Sequence, residues 1–141
     1  MFDKSTLNHK IMIVDDDQLM RALLVSMLHA EGFEQLIIAK DGVEASKQFI
    51  SYQPDIIFLD IEMPGVDGIE SLRLIKKHNF PVQIIMVSNH TTEDWLHAAI
   101  HGGASAFLVK PITLKKISAV INECSRRITQ AAEHVDLFVS E

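Results

Sequence analysis

The run Ile56-Ile57-Phe58-Leu59 leaves this chain few ways to fold. A strand half open to water would alternate apolar and polar positions. Four apolar residues in succession, bounded by Asp55 and Asp60, therefore read as a short strand buried on both faces. Such strands belong to parallel sheets with helices on both sides. Asp60 then stands at the carboxyl end of its strand, the edge at which ligands collect in open α/β sheets. Pro64 cannot join a sheet ladder and Gly65 relaxes the backbone, so the chain turns just past Asp60.

The same design recurs along the chain. Ile11 to Val14 is a strand ended by Asp15-Asp16-Asp17, and Leu36 to Ala39 is another, followed by the turn signal Asp41-Gly42. Ile84 to Val87 runs into Ser88-Asn89-His90, and Ala106 to Val109 runs into Lys110-Pro111. Between them lie helical spacings. Gln18 to Glu31 carries Leu19, Leu23, Leu24, Met27 and Leu28 and stops at Gly32. Val43 to Tyr52 is closed by Pro54, and Asp67-Gly68 opens a helix with Ile69, Leu72 and Ile75 on one face. Thr91 or Thr92 caps a helix to about His101, ended by Gly102-Gly103, and Thr113 starts the last helix. This alternation predicts an α/β doubly wound (βα)5 parallel sheet with right-handed crossovers. Residues 1–9 read as a polar lead-in, 10–127 as one domain, and 128–141 as a C-terminal helical extension or tail.

At 141 residues with 48% hydrophobic content, the chain can build one sizeable core. A net charge of −6 and a pI near 5.6 argue against a nucleic-acid surface, which needs a basic patch. The single Cys124 lies in a helical apolar stripe, which makes it a core residue and fits a reducing cytoplasm. No apolar run approaches the roughly 18 residues of a membrane span, and Met1 to Lys10 lacks a signal-peptide core. A cytoplasmic protein without membrane contact is expected.

Each special polar residue falls at one edge of the predicted sheet. Asp15 and Asp16 follow the first strand, Asp60 the third, Ser88 the fourth and Lys110 the fifth. Three converging carboxylates repel unless a cation neutralises them. Hard oxygen ligands suit Mg²⁺, which keeps several waters and accepts a phosphoryl oxygen. A lysine and a hydroxyl at the same rim can hold the remaining phosphoryl oxygens. The set describes a phosphoryl-transfer site with an aspartate nucleophile.

In these residues the chain resembles the receiver domain of two-component response regulators, of the single-domain, chemotaxis-regulator type. The resemblance rests on Val14-Asp15-Asp16, Asp60-Ile61-Glu62-Met63-Pro64-Gly65-Val66-Asp67-Gly68, Ser88 and Lys110-Pro111, and covers about Lys10 to Arg127. It implies a flavodoxin-like fold of strand order 2-1-3-4-5. It makes Asp60 the phosphoacceptor, with Asp15, Asp16, Asp60 and the Glu62 backbone carbonyl around Mg²⁺. Ser88 and Lys110 would contact the phosphoryl group, Phe107 would be the aromatic that reorients on activation, and Lys110-Pro111 would be a cis peptide. The implied donor is a histidine kinase or a histidine phosphotransfer protein, and the implied output is an unidentified partner or domain. The chain would be a signalling switch rather than an enzyme acting on a metabolite.

Other expectations attach to single residues. Asp17 reads as a helix cap. Asn89 stands where the family usually has Ala or Gly, and is expected to crowd the approach to Asp60. Glu62 and His90 are expected to flank the path of a hydrolytic water. Phe107 has no hydroxyl, so it is either a packing switch or an ordinary core aromatic. His97 and His101, four apart on a helix, read as surface histidines for want of a third ligand. The three-four rhythm continues through Ile128, Ala131, Ala132, Val135 and Phe138, which suggests a homodimer through the last helix and its neighbours, an output domain, or a tail. Two rival readings remain: a phosphate-independent pseudo-receiver interaction module, and a hydrolase of the aspartyl-phosphate type. The hydrolase calls for an aspartate two residues beyond the nucleophile, where this chain has Glu62.

Overall fold

The computed structural model describes residues 2–90 and 92–140, with side chains described as far as residue 132. The elements run α1 (Lys4–Leu7), β1 (Ile11–Val14), α2 (Gln18–Glu31), β2 (Leu36–Ala39), α3 (Gly42–Tyr52), β3 (Ile56–Asp60), α4 (Gly68–Lys76), β4 (Gln83–Ser88), α5 (Glu93–His101), β5 (Ala106–Val109) and α6 (Leu114–Ser140). The strands form one parallel sheet in the order β2-β1-β3-β4-β5, the flavodoxin-like doubly wound arrangement.

Why the apolar runs are unbroken is plain in the core. Successive side chains of a strand point to opposite faces, and here both faces are covered. Met12 and Val14, Ile57 and Leu59, and Ile84 and Met86 pack on one side with Phe49, Leu72, Ile75 and Ala99 of α3, α4 and α5. Ile11 and Ile13, Ile56 and Phe58, and Ile85 and Val87 pack on the other with Leu24, Leu28, Ile117, Ile121 and Cys124 of α2 and α6. The edge strands depart from the expectation of full burial. Ile38 in β2 is 49% exposed and every residue of β5 is half-buried, because an edge strand has a neighbour on one side only.

Helix starts follow side-chain chemistry. Asp17, Asp41, Asp67 and Thr92 each accept a backbone N–H from the first turn of their helix, so Thr92 takes the capping role. Cys124 is buried and unpaired, and burial pushes its thiol up to about 11, as a core residue requires. His97 and His101 are exposed, with rings 6.0 Å apart.

Both ends of the domain carry tertiary contacts. The first nine residues are more than a polar lead-in. Phe2 is buried with its ring 5.2 Å from that of Phe33, and the Thr6 and Ser125 hydroxyls bond at 3.1 Å. His9 Nε2 lies 3.1 Å from the same Ser125 oxygen, while Asp55 accepts the Lys10 N–H at 2.8 Å. The stretch is anchored because it covers an apolar patch that α2 and α6 leave open. At the other end Ile128 packs on the core with the rest of the α6 stripe, and Arg127 donates to the Ser105 carbonyl at 2.8 Å. Ala131 and Ala132 are exposed, and the Val135 and Phe138 side chains lie outside the described residues.

Removing the Phe2 ring should therefore cost about 3 kcal/mol, the usual scale for a buried aromatic. Urea unfolding of Phe2→Ala beside the wild type measures this, and a loss below about 0.5 kcal/mol would mean that the anchor is not part of the cooperative unit.

Candidate functional site

The sheet ladder continues past the strand ends into the residues of interest. The Asp15 N–H donates to the Ala39 carbonyl at 3.2 Å, Ile61 to Val87 at 2.9 Å, and Lys110 to Ser88 at 2.8 Å. Each of these positions is thereby tied to the neighbouring strand rather than to a free loop. Asp15 is held further: its carboxylate accepts the Asp17 N–H at 2.9 Å, and its carbonyl accepts Arg21 Nη1 at 2.6 Å.

Past Asp60 the chain loops out through Gly65, at φ 75°, and returns so that the Gly68 N–H meets the Ile61 carbonyl at 2.9 Å. A Cβ at Gly68 would stand 2.2 Å from the Asp60 carbonyl oxygen and 2.5 Å from Ile61 Cα. Only glycine lets α4 begin against the strand end, which explains the Asp67-Gly68 pair more fully than its turn propensity does.

One carboxylate oxygen from each of Asp15, Asp16 and Asp60 lies within 4.8 Å of the others, the one group of three or more metal-ligating side chains found among the described residues. Asp15 and Asp60 are buried and Asp16 is exposed. Lys110 Nζ stands 3.3 Å from Asp15 and 3.6 Å from Asp60. Burial, then the Asp15 charge, push the Asp60 carboxyl up to about 7, with Lys110 opposing. Burial also works against the Lys110 charge, but Asp60 and Asp15 outweigh it and hold the ammonium above its ordinary value. One ammonium does not neutralise three carboxylates. The donor set is all hard oxygen, partly open to water through Asp16, and fits a small divalent cation such as Mg²⁺.

Ser88 ends β4 fully buried and donates its hydroxyl proton to Glu62 Oε1 at 2.6 Å. Asn89 Nδ2 donates to Glu62 Oε2 at 3.1 Å, and His90 Nδ1 lies 3.2 Å from Glu62 Oε1. Partial burial works against the Glu62 charge, but the Ser88, His90 and Asn89 contacts outweigh it and hold the carboxyl below its ordinary value. Asn89, expected to crowd Asp60, spends its amide on Glu62. Phe107 is half-buried against the core beside Leu96, Ala99 and Ile100, and the Lys110–Pro111 peptide is cis.

Sequence reasoning passed over Arg21 and Lys116. Lys116 Nζ ties down the Val109 and Pro111 carbonyls at 2.8 and 3.0 Å, next to Lys110. A basic residue one turn into a helix after a site strand was the available signal in both cases.

The raised Asp60 carboxyl has a consequence for stability. A folded-state value above the unfolded one means that folding takes up a proton, so stability is fully present below about pH 4 and is lost as pH rises to about 7. Asn cannot ionise. In metal-free buffer Asp60→Asn should therefore exceed the wild type by a few kcal/mol at pH 8, at about 1.4 kcal/mol per pH unit of displacement. The gap should close toward pH 4 and shrink when Mg²⁺ is added. Urea midpoints across this range check it, and a pH-independent gap would overturn it.

The arrangement has close counterparts. The model of the response regulator receiver domain matches residues 11–122. The chemotaxis protein CheY of Bacillus subtilis is 36% identical over 115 residues, which cover 82% of this chain and 96% of that protein. A protein-glutamate methylesterase/protein-glutamine glutaminase of Thermotoga maritima is 34% identical over 137 residues, 92% of this chain but only 40% of that protein. A chain of the CheX–CheY–BeF3–Mg complex from Borrelia burgdorferi superimposes with a TM-score of 0.76 at 31% identity, over 80% of this chain and 86% of its own. With the five-stranded order, the acidic edge and the matched span in agreement, this chain belongs to the response regulator receiver domains.

Proposed function

We propose that the domain is a phosphoacceptor switch in which Asp60 takes a phosphoryl group from a phosphohistidine donor in a Mg²⁺-dependent reaction. The observation that carries this is the meeting of Asp15, Asp16 and Asp60 within 4.8 Å, with Lys110 3.3 and 3.6 Å from two of them, at one sheet edge. An Asp60 oxygen forms the new O–P bond while the donor's P–N bond breaks. The electron pair leaves with the imidazole nitrogen, which takes up a proton. Mg²⁺, held by Asp15, Asp16, Asp60 and the Glu62 carbonyl, would supply charge neutralisation between carboxylates and phosphoryl oxygens. Lys110 turns its ammonium from the carboxylates to a phosphoryl oxygen, and the Ser88 hydroxyl donates to another.

The partners that follow are a histidine kinase or phosphotransfer protein as donor and an output partner or domain, in the cytoplasm. No helix among the described residues is long and apolar enough to cross a membrane. The domain turns over its own phosphate and works on no metabolite. Self-association through α6 and its neighbours β5 and α5 belongs to the same reading, supported by Ile100, which is 71% exposed on α5, and by the exposed Ala131.

Intact-mass measurement with acetyl phosphate tests the chemistry. One phosphoryl group should add to the wild type with Mg²⁺, none with a chelator, and none to Asp60→Asn. Phosphate on a histidine, or persisting in Asp60→Asn, overturns the assignment, and no phosphate anywhere favours a pseudo-receiver. Sedimentation with and without beryllofluoride tests the association. A shift toward dimer should appear in the wild type and be lost in Ile100→Glu, whereas monomers throughout would leave the face to another partner.

A further inference from the structure

A hydroxyl has one proton to donate, and that of Ser88 is already committed. Ser88 is buried, its oxygen accepts the His90 N–H at 3.1 Å, and its proton goes to Glu62 Oε1 at 2.6 Å. It therefore cannot also serve an anion on Asp60. Glu62 in turn is held by Asn89 Nδ2 at 3.1 Å and by His90 Nδ1 at 3.2 Å, so one carboxylate gathers three consecutive residues of the segment that leads to the α5 cap, Thr92. These bonds end on an ionised carboxylate, the stronger class of hydrogen bond.

We infer that Glu62 is a latch that holds the domain in its resting form by competing with the phosphoryl group for the Ser88 proton. The inference rests on the reading of Asp60 as phosphoacceptor. Phosphorylation must move the Ser88 proton from the Glu62 carboxylate to the new anion on Asp60. Once it does, Glu62 loses its shortest partner and faces a second negative group, and Asn89 and His90 lose their common anchor. The Asn89–His90 segment is then free to reposition against the site. This supplies the differential contact between two states that any population shift requires. Glu62 is a positioning residue here, because it acts through Ser88 and does not touch the reacting atoms.

The test is a double-mutant cycle on beryllofluoride affinity in saturating Mg²⁺, with wild type, Glu62→Gln, Ser88→Ala and the double variant. Glu62→Gln keeps shape but weakens the bond to Ser88, so it should tighten beryllofluoride binding about tenfold, the worth of one charge-assisted hydrogen bond. In the Ser88→Ala background the same change should matter about twofold or less, because only the lost negative charge remains. Equal tightening in both backgrounds would reduce Glu62 to a charge effect and overturn the latch, as would no change. A second readout follows the hydrogen bond itself. The Asn89 side-chain amide resonance should shift in metal-free Glu62→Gln, and beryllofluoride with Mg²⁺ should move the wild-type resonance in the same direction. A resonance unmoved by beryllofluoride would show that Glu62 keeps its partners, again overturning the latch. Should no variant bind beryllofluoride at all, the phosphoacceptor reading falls as well, and that outcome differs from a wild type that binds with no coupling in the cycle.

Discussion

A carboxylate kept almost out of water beside a second carboxylate is the constraint on which the rest of the structure turns. Asp60 is 3% exposed and repelled by Asp15, and the single ammonium of Lys110 only partly relieves the pair. A resting protein with such a group is destabilised locally, and whatever brings positive charge or takes up the negative charge is favoured by the relief of that strain. The same physics would serve both the cation binding and the phosphoryl acceptance proposed for the site. Function and local instability are two aspects of one arrangement.

Holding repelling charges together demands a stiff platform. The central strands β1, β3 and β4 are buried on both faces, and their ladders run one residue beyond the strand ends into the site. Backbone positions at Asp15, Ile61 and Lys110 are set by neighbouring strands and cannot relax apart without breaking sheet hydrogen bonds. Gly68 adds a further restraint by bringing α4 into contact with the Asp60 carbonyl. In the mechanism we propose, the groups that move are side chains: Lys110, the Ser88 hydroxyl and the Glu62 carboxylate.

Around this rigid edge the periphery is uneven. The open edges at β2 and β5, Ile100 on α5, and the long α6 leave apolar surface in water, whereas the N-terminal segment with Phe2 covers an apolar patch between α2 and α6. Helix capping is uniform by contrast, with Asp or Thr before α2, α3, α4 and α5. Local electrostatics start the helices. Tertiary burial decides which of their faces remain available.

By itself the amino-acid sequence determined the sheet, its layers and the edge that carries Asp15, Asp16, Asp60, Ser88 and Lys110. Strand runs and helix caps are local signals, and a parallel sheet brings the carboxyl ends of its strands to one side whatever the details. Cys124 as a core residue and Asp17 as a cap were legible for the same reason. The tertiary structure decided what depends on residues far apart in the chain. Phe2 and His9 had no sequence period to reveal that they meet Phe33 and Ser125, on elements that only folding brings near. The carbonyl contacts of Arg21 and Lys116 are specific to one geometry, and the closeness of Gly68 to the Asp60 carbonyl is a matter of tenths of an ångström. Above all, Glu62, Ser88, Asn89 and His90 could each be named from the sequence, but not that the four share one network. Hydrogen-bond partners are chosen by distance and direction, which a linear order of residues does not contain.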